Sequence, residues 1–161
     1  MTVYRPEERR LVLRLLAYWD DLRGERDYPR ADDVDAAVIG DDWAQCFLLR
    51  LDGGPVGGGR LLHVGTGFLG ARADGPPATL DEVPGHCLLY HAAGFAARTL
   101  EKGVPVSLGG EAVLADGRTL FRSVLLPLSN DGKAIDHLLG AANGRPVEAD
   151  SRADLGERTG A

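Results

Sequence analysis

The four histidines are the side chains best suited to proton transfer, because an imidazole titrates near neutral pH. His63 and His137 fall in two different predicted strands, which a sheet could bring close together. With Asp136, or with a carboxylate from elsewhere, they would form an acid–base pair, provided that the groups come within hydrogen-bond distance. Isolated strand histidines are the favoured interpretation, and a small acid–base enzyme on an α+β fold is an alternative.

The chain has few nucleophilic side chains, and none of them lies in a sequence motif that would activate it. Cys46 and Cys87 are the only cysteines and form no CxxC pair. We expect two buried, reduced thiols, with a disulfide or redox switch as the alternative. Ser107, Ser123 and Ser129 do not lie in a nucleophile elbow. We therefore predict no catalytic residue.

Two further segments suggest ligand sites but lack the required patterns. The acidic segment of residues 28–42 includes Asp32, Asp33 and Asp35, without the alternating ligands and glycine of a calcium loop. The glycine-rich segment Gly53–Gly59 lacks the Lys-Ser/Thr ending of a phosphate-binding loop, and no helix follows it. We predict a solvated loop, with a helical turn as an alternative, for the first segment, a hairpin turn for the second, and no metal site.

Composition narrows the class of protein. The chain has 161 residues, of which 44% are hydrophobic and 26% charged, as in one soluble domain. The net charge of −6 argues against binding to nucleic acid, which needs lysine and arginine against phosphate. The first ten residues do not resemble a signal peptide, and no apolar run has the roughly 20 residues that cross a bilayer. We expect a cytoplasmic protein without a membrane partner.

Two helices are predicted from apolar residues at three- and four-residue steps. The first spans Glu7–Arg23, after Pro6 and before Gly24. Its apolar stripe either docks on the chain's own core or pairs with a second copy as a homodimer. The second spans His86–Lys102 and ends at Gly103. The stripe of the first helix consists of Leu11, Leu15, Tyr18, Trp19 and Leu22.

Alternating patterns and turn dipeptides predict strands in the rest of the chain. A hairpin joins Cys46–Asp52 to Arg60–Gly65, and Thr66–Glu82 forms loops and short helical turns. Three more strands follow, separated by Asp116-Gly117 and by the turn at residues 129–132. The expected fold is α+β, with five antiparallel strands. The last three predicted strands are Val104–Ala115, Thr119–Leu128 and Ala134–Ala142, followed by a frayed tail, Glu148–Ala161.

This order of elements, together with local sequence, resembles a divergent bacterial PAS-like family of stand-alone regulatory proteins. The match covers about residues 11–142 and is strongest near the end. The matching stretches are Leu15–Trp19 through Gly24, Tyr28–Asp32, Val64–Thr66, Leu125–Ser129, and Asp131–Gly132 through Ile135–Asp136 to Leu138–Ala141.

The resemblance implies a PAS-like sheet with helices on one face and an N-terminal flanking helix. It divides the chain into an N-terminal helix (1–27), a PAS-like domain (28–143) and a tail (144–161). The implied function is sensory: a small molecule binds between sheet and helix, and a separate output protein receives the signal. A ligand-free interaction or dimerisation module is the alternative.

The resemblance also indicates where a ligand would bind. Haem-binding PAS domains commonly use a histidine on the long helix, and His91, beside the apolar stripe, is the candidate here. We favour a hydrogen-bonded histidine over a haem ligand, and neither cysteine has the setting that a flavin photosensor needs. Arg122 would anchor an anionic ligand if its face of the strand points inward. The pocket candidates are Phe47, Leu49, Thr66, Leu88, His91, Phe95 and Arg122.

Overall fold

The computed structural model describes residues 6–69, 76–115 and 117–147. It contains an antiparallel five-stranded sheet in the order β2-β1-β5-β4-β3. The predicted α+β class with an N-terminal flanking helix is confirmed. The strands are β1 (Cys46–Arg50), β2 (Arg60–Val64), β3 (Val106–Leu114), β4 (Gly117–Leu128) and β5 (His137–Pro146), and the helices are α1 (Pro6–Arg23), α2 (Ala36–Ile39), α3 (Thr66–Leu69), α4 (Leu88–Ala93) and α5 (Ala96–Lys102).

Both faces of the sheet are covered where β4 crosses its centre. Val124, Leu126 and Leu128 point to one face, here called the outer face, and are fully buried under α1. The alternate residue Leu125 points to the inner face, where α4 and α5 pack. Side chains alternate between faces along a strand, so a strand covered on both sides is apolar at both parities. This explains why the sequence of β4 does not indicate which face is internal.

α1 docks on the outer face of its own sheet. Leu11, Leu15 and Trp19 are 8% exposed or less and join one apolar cluster with β4 and β5. The indole Nε1 of Trp19 donates a 2.8 Å hydrogen bond to the carbonyl of Pro127. Gly24, at φ 61°, ends the helix. Of the two sequence alternatives, the structure has the docked one, and a second copy would reach these three side chains only after α1 left the sheet.

Polar contacts hold α1 against the acidic segment as well. Arg14 donates to both carboxylate oxygens of Asp42, at 2.6 and 2.8 Å. The hydroxyl of Tyr18 accepts a hydrogen bond from the backbone N–H of Asp35, and burial raises the pKa of this phenol. The segment predicted as a solvated loop thus contains α2 and short 3₁₀ turns, and two of its carboxylate residues serve structural roles.

The second predicted helix, His86–Lys102, is two helices. α4 ends at Gly94, and Phe95 has the non-helical angles φ −108° and ψ 23° before α5 starts. Glycine is a poor residue for a helix interior, and the break directs α4 and α5 separately onto the inner face. The single-helix prediction was wrong because the apolar periodicity continues across the break.

The C-terminal strand is shifted relative to its prediction. Residues 129–135 form a turn, and β5 starts at His137 and runs to Pro146 beside β4. The boundary expected at residue 143 therefore falls inside this strand. The predicted tail, Glu148–Ala161, lies outside the described residues. None of the helices in the described ranges is long and apolar enough to cross a membrane.

Candidate functional site

A groove with a volume of about 630 Å³ lies between the α4–α5 junction and the inner face of the sheet. Its floor is formed by Phe121 of β4 and by the edge strand β3. One wall is the helix break, with lining residues between Tyr90 and Ala97. The opposite wall consists of two 3₁₀ turns, Val56–Gly58 and Leu80–Glu82.

Aromatic rings line one side of the groove. The ring of His91 lies 5.3 Å from that of Tyr90, edge to face, and 6.1 Å from that of Phe121. Phe95, at the helix break, also lines the groove and is 8% exposed. Tyr90 is half exposed, so the aromatic surface extends from the interior to the mouth of the groove.

The polar groups of the groove are mainly acceptors. Asp81 presents a carboxylate. Glu111 also borders the groove, but it pairs across the sheet with Leu120, so its side chain points to the outer face, where it accepts a hydrogen bond from Nε of Arg118. Nε2 of His91 donates to the carbonyl of Gly85 at 3.0 Å. In the neutral tautomer that makes this bond, Nδ1 remains an acceptor. Among the described residues that line the groove, none is lysine or arginine.

Two of the predicted pocket residues, His91 and Phe95, line this groove. Phe47 and Leu49 lie on the same face of the sheet but are fully buried in the core beside it. Leu88 is partly buried at the start of α4 and packs against that core. Thr66 is exposed at the start of α3. The latter four residues are not among those that line the groove.

Arg122 lies on the outer face, which corrects the suggestion that it shares the inner face with the ligand. It alternates with Phe121 and Ser123 and pairs across the sheet with Gly109 and Asn143. A separate cavity of about 330 Å³ is lined there by Val12, Leu13, Leu16, Ser107 and Arg122.

His63 and His137 lie apart, whereas the predicted contact between His137 and Asp136 is present. Nε2 of His63 donates to the carbonyl of Trp43 at 3.1 Å, and its ring stacks on that indole with centroids 3.9 Å apart. His137 contacts Asp136 through Nδ1 at 2.7 Å, and the Asp136 carboxylate also accepts from the backbone N–H of Asn130. β1 separates the strands of His63 and His137.

The cysteines differ in environment. Cys46 is fully buried under α1, its thiol lies 3.3 Å from the carbonyl of Asp42, and burial raises its pKa to about 12. Cys87 is only partly buried, next to α4. Both are free thiols in the structure. Neither is among the residues that line the groove.

The turn before β5 is ordered by one carboxylate. Asp131 accepts hydrogen bonds from the backbone N–H groups of Lys133 and Ala134 and from the hydroxyl of Ser129. These bonds lower the pKa of Asp131. In the part of the chain that the structure describes, no three side chains are placed to hold a metal ion together. The carboxylate therefore has a structural role in the turn.

Sequence patterns missed most of the groove. Tyr90, Phe121, Leu108 and Asp81 were not among the predicted pocket residues. Alternation places Phe121 on the inner face once Leu125 is known to lie there, since the two are four residues apart on one strand. The position of Asp81 depends on how the turn at Leu80–Glu82 packs, for which the sequence carries no periodic signal.

The similarity of this chain to known proteins is confined to solved structures. No family model and no curated protein matches the chain. Among solved structures, a light-oxygen-voltage domain from work with a flavin analogue matches with a TM-score of 0.42 and 17% identity, over 72% of this chain and 87% of that one. The dark structure of the Aureochrome1 photoreceptor domain matches with a TM-score of 0.43 and 18% identity, over 80% of this chain and 95% of that one.

At these TM-scores and identities no ligand or activity of those photoreceptors transfers to this chain. The fold assignment rests on the strand order and the helices described above.

Proposed function

We propose that this chain is a PAS-like sensory or regulatory module that binds a small molecule in the groove between the α4–α5 junction and the inner face of the sheet. The observation that carries this proposal is the groove itself. Its volume of about 630 Å³ falls within the roughly 300–1,000 Å³ usual for small-molecule sites. Its lining combines aromatic surface with a few polar groups, as such sites require.

β4 offers a route from the groove to the surface. Phe121 forms part of the groove floor, and six residues further along the strand the carbonyl of Pro127 accepts the hydrogen bond of Trp19. A ligand that binds one arrangement of β4 more tightly than another would shift the chain towards that arrangement, and the docking of α1 would change with it. The size of this shift is limited by the difference in the ligand's affinity for the two arrangements. A separate protein that contacts α1 would then receive the signal.

Ligand-dependent melting tests the binding step. A ligand that binds only the folded state stabilises it, by about 2.7 kcal/mol at a hundredfold excess over Kd. We expect members of a broad metabolite panel to raise the melting temperature of the wild type. Unchanged melting across the panel, together with native mass spectra of fresh protein that show no bound mass, would overturn the proposal.

A variant that fills the groove tests whether the ligand binds there. Gly110 lies on the groove floor, and a Cβ there would meet the ring of Phe121 at an ordinary 3.6 Å. Gly110→Leu should therefore fold but occupy the space with its own side chain and abolish the ligand-induced shift. Val113→Leu is the matched control, because Val113 is 67% exposed on the same strand. Equal shifts in wild type and Gly110→Leu would show that the ligand binds elsewhere.

A ligand-free interaction module is the second candidate, favoured by the outer edge of β3. Among the described residues, β3 pairs only with β4 in the sheet, whereas the edge of β2 is partly covered by a bridge from Arg60 to Thr79. An exposed edge strand can pair with another chain. Val113→Lys should dissociate a dimer formed there, as measured by light scattering, and a wild type that is monomeric at high concentration would remove this candidate.

A further inference from the structure

The groove has a charge character that restricts its ligand. Its described lining includes the carboxylate of Asp81 but no lysine or arginine. A phosphate or carboxylate on a ligand would therefore find no lysine or arginine there, and it would approach a group of its own sign. Charge complementarity favours a ligand that carries positive charge.

The negative charge of Asp81 is not paired with a cationic side chain among the described residues. Its neighbour Glu82 accepts hydrogen bonds from the backbone of Ala78 and Thr79 and so caps the 3₁₀ turn. Asp81 makes no hydrogen bond or ion pair within the described residues, and it lies directly over the α-carbon of Gly57, where a larger residue would displace it. The side chain of Glu111, by contrast, points to the outer face of the sheet and is paired with Arg118.

The aromatic rings of the groove also suit a cation. The rings of Tyr90 and Phe121 both neighbour that of His91, with centroid distances of 5.3 and 6.1 Å to the imidazole. A cation within about 6 Å of an aromatic face is attracted by the quadrupole of the ring, and this attraction recognises alkylated ammonium groups. Phe95 and Leu108 add apolar surface for the body of the ligand.

We propose that the groove binds an organic ammonium cation with an apolar or aromatic body, held by Asp81 and by the rings of Tyr90 and Phe121. This inference rests on the proposed function and specifies the class of its ligand. Because half of Tyr90 is solvent-exposed, the bound ammonium group lies at the mouth of the groove, beside Tyr90. The apolar body lies deeper, against Phe121.

A matched trio of probes tests the class of ligand. 2-Phenylethylamine, 2-phenylethanol and 3-phenylpropionate have the same aromatic body with positive, zero and negative charge. We expect the amine to bind most tightly and the carboxylate most weakly, as measured by calorimetric titration at low salt, where screening is small. A carboxylate that binds as tightly as the amine would overturn the inference.

Asp81→Asn tests the anchor without changing the shape of the side chain. Ion pairs of exposed groups are weak, so we expect the affinity for the amine to fall by about two- to fivefold while that for the alcohol stays the same. Asp52→Asn is the control, since Asp52 is exposed beside Arg50 and is not among the residues that line the groove. An equal loss for amine and alcohol would indicate a structural effect and overturn the role of Asp81.

The two proposals fail in different ways. If the metabolite panel finds ligands that Gly110→Leu no longer binds, but these ligands are anionic, only the cation inference is wrong. If neither the panel nor the amine binds, the proposed function fails and the inference fails with it.

Discussion

The phenyl ring of Phe47 covers the α-carbon of Gly140, its cross-strand partner on β5. A Cβ at Gly140 would overlap the atoms of this ring, so the glycine is required for the ring to lie flat on the sheet. Phe47 also packs edge to face with Phe68, at a centroid distance of 5.8 Å. The ring therefore fills the inner face beside the groove, and this is why Phe47 is a core residue and does not line the groove.

Gly140→Ala should be strongly destabilising. The added methyl must displace the ring of Phe47 from a fully packed site, and such overpacking costs about 1–3 kcal/mol. Urea denaturation followed by tryptophan fluorescence measures the change. Gly58→Ala is the control, because a Cβ at Gly58 meets no atom within 4 Å. Equal stabilities of the two variants would contradict the packing described here.

The hydrogen bond from Trp19 to Pro127 gives a second prediction. Trp19→Phe keeps an aromatic ring in the cluster but leaves the buried carbonyl of Pro127 without its donor, at a cost of about 1–3 kcal/mol. Leu13→Ala on the same helix should change stability by less than about 0.5 kcal/mol, because Leu13 is 62% exposed. A Trp19→Phe variant as stable as Leu13→Ala would show that the docking of α1 does not depend on this bond.

These two contacts show what the sequence could and could not predict. The apolar stripe of α1 and the alternation in β1 are local patterns, so both elements were predicted within a few residues. Phe47 was a reasonable pocket candidate on its face of the strand, but its actual contact is with Gly140, more than 90 positions away, and sequence periodicity carries no information about such a pair. Groove residues such as Asp81 depend on the packing of irregular turns, which have no period.

Ser123 provides a prediction about buried polar groups. Its hydroxyl is fully buried on the inner face and has no hydrogen-bond partner among the described residues. Burying an unpaired hydroxyl is unfavourable, so Ser123→Ala should leave the free energy of unfolding unchanged or raise it by up to about 1 kcal/mol.

Thr99→Val is the matched control for Ser123→Ala. Thr99 is equally buried, but its hydroxyl donates to the carbonyl of Phe95 at 3.2 Å. The loss of this bond should lower stability by about 1 kcal/mol. If Ser123→Ala is destabilised as much as Thr99→Val, the Ser123 hydroxyl has a partner after all.

The buried thiol of Cys46 predicts how stability depends on alkaline pH. Burial raises its pKa from 9.0 to about 12 in the folded chain. Below pH 9 the thiol is protonated in both states and contributes no pH dependence. As the pH rises from about 9 towards 12, the unfolded chain loses this proton while the folded chain retains it, so the unfolded state is favoured and stability falls by up to about 1.4 kcal/mol per pH unit.

Urea denaturation of wild type and Cys46→Ala at pH 8, 9 and 10, with reductant present, isolates this contribution. Tyrosines and lysines also titrate in this range, so the quantity to compare is the difference in slope between the two proteins. We expect the wild type to lose stability more steeply than Cys46→Ala above pH 9. If Cys46→Ala and the wild type have parallel slopes, the thiol is accessible enough to ionise in the folded state, and the tight docking of α1 over β1 is wrong.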